Sequence, residues 1–342
     1  MAHTHLMDAR LLTRTLADPA YALTLDDAGW TALLTIAHAE RLSGSLAHRL
    51  AGLAVPAKAA EALAAATVTA ETGRTQALWE AEMARRALAE LAVPIILLKG
   101  TAFVAAGLDA GRGRFIGDLD ILVPRASLDA VEAALLGAGW EWVKPDPYDD
   151  AYYRQHMHEL PPLIHRERDR MIDVHHTILP LTARVTPDAD ALIKDAMPLG
   201  NGLHIFGPAD MLLHAVAHLF ADGDLAGGLR NLWDIDRLIR EQADAPGYWE
   251  ALDTRAKLHG LRPHLACALR MARHLYETPV DATLAGNPAL TDIAYMSRLL
   301  ARNGWGQESR WILRQAFYIR SHWLRMPPLM LARHLWVKWR RG

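Results

Sequence analysis

Apolar positions recur every three or four residues through "TLDDAGWTALLTIAHAERLSGSLAHRLAGL", a period that predicts amphipathic helices. Asp26 and Asp27 stand where a helix N-terminus favours acids. Pro56 opens the next segment. Residues 57–92 contain no proline, are rich in Ala, Glu and Arg, and carry Gly73 as the only breaker, so they predict one long helix. At Pro94 the period changes. "PIILLKG" is a continuous apolar run ending in glycine, the pattern of a buried strand, and "TAFVAAGL" predicts a short helix. "GRGR" reads as a turn, and "FIGDLDILV" as a second strand. "PRASLDAVEAALLGAGW" predicts a helix with Ser127 as N-cap and a stop at Gly137–Gly139. "EWVK" predicts an edge strand, "YYRQHMHELPPLIHR" one or two more, and "DRMIDVHHTI" a further one. From Thr186 onward helical periods return. No fixed-period repeat interrupts the plan. The pattern predicts an α+β protein: a helical region over 1–92, a small mixed-sheet core over 93–182, and a helical region over 183–342.

Composition narrows the picture. Of 342 residues, 51% are hydrophobic and 22% charged, as in an ordinary globular protein. The formal net charge of −2 gives no overall bias toward long nucleic acid or membranes. The single cysteine, Cys267, excludes an intramolecular disulfide framework and a Cys-rich zinc site. The N-terminal stretch is broken by charges, unlike a signal peptide, and no run of about 18 apolar residues suggests a transmembrane helix. These features point to the cytoplasm.

The chemistry concentrates in "RFIGDLDILV". Side chains two apart on a strand share a face, so Asp118 and Asp120 would point the same way, about 7 Å apart. Two such carboxylates repel unless a positive charge lies between them, and oxygen-only donors suit Mg²⁺ or Mn²⁺. "MIDVHH" puts a lone acid, Asp173, in another apolar strand, with His175 on its face. If the strands are neighbours, Asp173 supplies a third metal ligand and assists an attacking group. The Gly100–Thr101 turn in "LLKGT" would offer backbone N–H groups to a phosphate, with Lys99, Thr101 and Arg114 as side-chain contacts. His158 and His175 are candidates to line the cleft, alongside Glu159. His214 and His218 share a helix face, but with no third ligand evident a zinc site there is not expected. With Arg230, Asp234 and Asp236 they would form a polar seam, Arg230 pairing with Asp234 one turn away.

A strand, a Gly-Thr turn and a helix, then a strand carrying D-x-D, then a later strand with one Asp: this order resembles the DNA polymerase β-type nucleotidyltransferase superfamily. "KGT" replaces the usual Gly-Ser turn. "RFIGDLDILVP", "IDVHH" and "MLLHAVAHLF…LRNLWDIDRLI" resemble its less characterised nucleotidyltransferase branch. The resemblance implies Mg²⁺-dependent transfer of a nucleoside monophosphate from an NTP, ATP by default, to a hydroxyl or phosphate. It implies metal ligation by Asp118, Asp120 and Asp173, and phosphate binding at Gly100–Thr101. The acceptor stays open among small molecules, saccharides, peptides and proteins. Kinase-like phosphoryl transfer on the same fold, a D-x-D glycosyltransferase, and a non-catalytic nucleotide- or partner-binding protein are the alternatives. The segment 310–342 has no acid and four tryptophans. It would suit an acidic partner or a membrane surface, or would pack on the helical region.

Overall fold

The structure, a computed structural model, describes residues 7–144, 146–327 and Trp336. The N-terminal helices are α1 (Arg10–Ala17), α2 (Asp27–Ala39), α3 (Ser43–Arg49) and α4 (Ala57–Ala87). Asp26 caps α2 by accepting from the Gly29 N–H at 2.8 Å. α4 is the long helix expected, and it ends five residues early.

A mixed seven-stranded sheet follows. Its strands are β1 (Ile95–Leu97), β2 (Leu119–Leu122), β3 (Trp140–Trp142), β4 (Leu163–His165), β5 (Met171–His175), β6 (Met197–Pro198) and β7 (Leu203–Ile205), in the order β3-β4-β5-β2-β1-β7-β6. β2 and β5 run parallel, as do β1 and β7; the other neighbours are antiparallel. All side chains of β1 and β2 are buried, which explains their continuous apolar runs.

Two expectations need correction. The helical reading from Thr186 onward misses β6 and β7, which extend the sheet past residue 182. These strands are too short to show a period, but they cover the free edge of β1. The strand expected at "YYRQH" is a helix instead, Pro147–His156. Asp146 caps it, accepting from the Tyr148 and Asp149 N–H groups, and Pro147 sits at its first position.

Between β1 and β2 lies the helix Lys99–Ala105, called α5 here. Leu128–Gly137 (α6) ends where the glycines predict, though Ser127 makes no side-chain cap. With Pro147–His156 as α7, the C-terminal helices include α8 (Ala189–Lys194), α9 (Pro208–Val216) and α10 (Gly228–Gln242). One contiguous apolar core runs from Ala9 to Phe317 and joins the N-terminal helices, the sheet and the C-terminal helices. The described part of the basic tail is the helix Trp311–Arg325, which buries Phe317. Its Arg320 donates to the Phe220 carbonyl at 2.8 Å. Arg333, Lys338, Arg340 and Arg341 lie outside the described residues.

Candidate active site

The register of β2 on β5 decides where the acids go. Asp120 lies directly opposite Asp173, and Leu122 opposite His175. Opposed residues on adjacent strands project from the same side, with backbones about 4.8 Å apart. Asp120, Asp173 and His175 therefore share one face, while Leu119, Ile121, Ile172 and Val174 fill the other. Asp118 differs from expectation. β2 begins at Leu119, so Asp118 stands just outside the ladder and is exposed at the mouth of the site.

Asp120 is buried, and its charge is met by the protein itself. The Leu98 N–H donates to the Asp120 carbonyl at 3.0 Å, which brings the end of β1 alongside. The chain then turns through Lys99, whose φ of +49° is left-handed and strained for a residue with a side chain. The Lys99 ammonium donates to Asp120 Oδ1 at 2.6 Å, and His175 Nε2 lies 3.1 Å from the same oxygen. Burial alone would raise the pKa of Asp120, but Lys99 and His175 outweigh it and hold the carboxyl far below the ordinary range. Burial works against the Lys99 ammonium too, and Asp120 more than restores it. At Asp120, then, a lysine supplies the counter-charge that the sequence reading gave to a metal ion.

Asp173 has no such partner. Its Oδ1 is buried without a hydrogen bond. Burial, then repulsion from Asp120 and Glu159, pushes its carboxyl up to about 7. An unpaired, buried carboxylate oxygen beside Asp120, with exposed Asp118 at the mouth, is a donor set that fits a hard divalent cation. The strained carboxyl also gives a pH prediction. A folded-state pKa near 7 against an ordinary 3.8 costs nothing below about pH 4; the penalty grows through the interval and is complete above pH 7. In chelator-treated protein, Asp173→Asn is expected to raise stability at pH 8 by on the order of 2 kcal/mol and to change it little at pH 4.5. Thermal melts at the two pH values check this, and an equal shift at both would remove the assigned cause.

His158 and Glu159 enter from the chain that follows α7. The His176 N–H donates to the His158 carbonyl and the Leu160 N–H to the Val174 carbonyl, each at 2.9 Å, so Glu159 is bridged to His175. Glu159 Oε2 lies 3.4 Å from His175 Nε2 and 3.7 Å from His158 Nε2. Burial, then the His175 and Lys99 charges, holds His158 well below its ordinary pKa, so the ring is neutral.

The remaining candidates part company. Gly100 and Thr101 are buried at the start of α5, and the Arg114 guanidinium covers the glycine. A side chain at Gly100 would place its Cβ 2.1 Å from Arg114 Nη1. Glycine is needed here for that close approach. Arg114, expected to meet phosphate, is instead paired with Asp234 of α10: Nη2 lies 2.8 Å from Oδ2, and Nε within 3.1 Å of both oxygens. This corrects the Arg230–Asp234 pairing, since a guanidinium that grips both carboxylate oxygens outcompetes the neighbour one turn away. Asp236 belongs to another cluster, with Arg237, Arg240 and Thr278.

Arg230 is thereby left over. Among the described residues its polar contact is a 3.4 Å approach to Asn231 Oδ1, and no carboxylate pairs with it. Half-buried, it lines a small cleft with Lys99, Arg114, His214, His218 and Asp234. Burial, then repulsion from Arg114, lowers its pKa to about 10, so it stays charged. Beyond it, a mostly apolar cavity of about 670 Å³ lies between α2–α4 and the 113–115 loop, with Leu63, Ala66, Phe115 and Arg41 among its walls. That loop leads into Asp118.

The fold is a mixed sheet with its acids on paired central strands and helices packed around it. The chain belongs to the family described as "Uncharacterised nucleotidyltransferase", whose model matches residues 26–277. A search of the curated proteins found no match. Among the described residues no helix is long and apolar enough to cross a membrane.

Proposed function

We propose that the protein transfers a nucleoside monophosphate from an NTP, ATP by default, to the hydroxyl or phosphate of an acceptor and releases pyrophosphate. The observation that carries this reading is the pair Asp120–Asp173 on one face of adjacent parallel strands, with Asp173 Oδ1 buried and unpartnered. Asp118, Asp120 and Asp173 would hold Mg²⁺ or Mn²⁺. When bound, such an ion neutralises phosphate charge and polarises the α-phosphoryl group. The protein's own parts in the reaction are then distinct. Lys99 holds Asp120 ionised and in place. Asp173 would complete the ion's carboxylate set and orient the acceptor hydroxyl, whose proton leaves to solvent water. The acceptor oxygen bonds to the α-phosphorus as the bond to the bridging oxygen breaks, and pyrophosphate carries that electron pair away. Arg230, which pairs with no carboxylate among the described residues, takes the phosphate role first given to Arg114. The acceptor's apolar part lies in the cavity beside Phe115.

Incubation with α- and γ-labelled ATP, Mg²⁺ and cell extract tests the reading. Label from the α position is expected on an acceptor. Label from the γ position would replace it with a kinase, and tight ATP binding without transfer to any acceptor would replace it with a binding protein. Arg230→Ala is expected to weaken ATP binding about tenfold, or about 1.4 kcal/mol, with Arg230→Lys retaining much of it. Unchanged calorimetric affinity in the alanine variant would return the phosphate to other residues.

A further inference from the structure

We propose that His158, Glu159 and His175 form a second cation site, one that takes a nitrogen-accepting transition ion such as Zn²⁺ in preference to Mg²⁺. One donor atom from each residue lies within 4.8 Å of the others. The separations from Glu159 are close to those of ligands sharing an ion. Donors about 2.0–2.2 Å from a tetrahedral Zn²⁺ stand roughly 3.3–3.6 Å apart; the observed separations from Glu159 Oε2 are 3.4 Å to His175 and 3.7 Å to His158. The frame is rigid, because Glu159 and His175 are opposed in an antiparallel bridge with backbone hydrogen bonds on both sides.

The polar groups also ask for a cation. His175, 2% exposed, aims Nε2 between two carboxylates, Asp120 Oδ1 at 3.1 Å and Glu159 Oε2 at 3.4 Å. A single N–H cannot serve both well, whereas an ion can take the nitrogen lone pair together with an oxygen from Glu159. The Nδ1 atoms of His158 and His175 are buried without partners, so no competing hydrogen bond turns either ring away. The Lys99 ammonium is engaged by Asp120. Two imidazoles and one carboxylate form a donor set that Mg²⁺ disfavours and Zn²⁺ accepts. The site adjoins the proposed catalytic acids but does not depend on the transfer reaction.

The test uses the full chain, stripped with chelator and reloaded. Wild-type protein is expected to retain one equivalent of Zn²⁺ after dialysis in excess Mg²⁺, and Cu²⁺-loaded protein to show ¹⁴N imidazole coupling in pulsed electron paramagnetic resonance. His158→Asn and Glu159→Gln are each expected to weaken Zn²⁺ binding at least about tenfold. Asp118→Asn is expected to leave Zn²⁺ binding intact, which separates this site from the D-x-D acids. Wild-type protein that keeps no Zn²⁺ and shows no nitrogen coupling overturns the proposal, whatever the variants do. So does Zn²⁺ retention that only Asp118→Asn abolishes. Neither result touches nucleotidyl transfer, which the labelled-ATP experiment judges alone.

Discussion

Asp120→Asn and Asp173→Asn are each expected to lower the rate of label transfer at least a thousandfold, about 4 kcal/mol of transition-state stabilisation. The two losses have different physical origins. Asp120 is ionised between Lys99 and His175, so its amide variant leaves the half-buried lysine charge without its carboxylate and removes one anionic ligand. Without an ion Asp173 is held in a costly state, and its amide variant removes that cost along with an anionic ligand. Asp173→Asn is therefore expected to combine lost activity with a gain in stability at pH 8, the signature of a group kept for chemistry. Single-turnover assays with α-labelled ATP give the rates, and circular dichroism establishes that each variant is folded. Activity within tenfold of wild type in either variant would sink the assignment of these acids.

Asp234→Ala is expected to destabilise the protein by about 3–5 kcal/mol, because it strands the Arg114 guanidinium, 6% exposed, without its carboxylate. Arg114→Ala does the reverse and costs a similar amount. Replacing both with Met and Leu is expected to recover most of the loss, since two apolar side chains of similar volume need no counter-charge. Gly100→Ala acts on the same pair from the other side by forcing its Cβ into the guanidinium. Urea unfolding of the four variants measures these effects. A cost below about 1 kcal/mol for Asp234→Ala would mean that the pair is not a buried one in solution.

The sheet strands around the site could be read in the chain because burial, on both faces in β1 and β2 and on one in β5, leaves a mostly apolar run. "PIILL", "LDILV" and "MIDVH" each show one, and an acid within such a run is conspicuous. What escaped notice did so for definite reasons. β7 has three residues and follows a glycine turn, so neither period nor length marks it. "YYRQH" suggested a strand through its aromatic residues, although the Asp146 cap and the proline after it were already signals for a helix. Arg114 and Asp234 are 120 residues apart; local spacing offered Arg230 as the partner, and only the packing of α10 against the core shows that the nearer arginine is spare. Glu159 stood next to His158 in "HMHE", but its value depends on the bridge to His175, which no pattern within that segment encodes. Asp118 was placed on the strand because alternation suited it, whereas the ladder begins one residue later.

The position of β1 between β2 and β7 limits how this molecule can be taken apart. A fragment cut at residue 182 would keep every acid of the site and still lose the strand that hydrogen-bonds the far side of Ile95–Leu97. That apolar strand would become an open edge, ready to pair with another copy. The minimal piece able to hold the site therefore extends at least through α10, which brings Asp234 to Arg114 and Arg230 to the cleft.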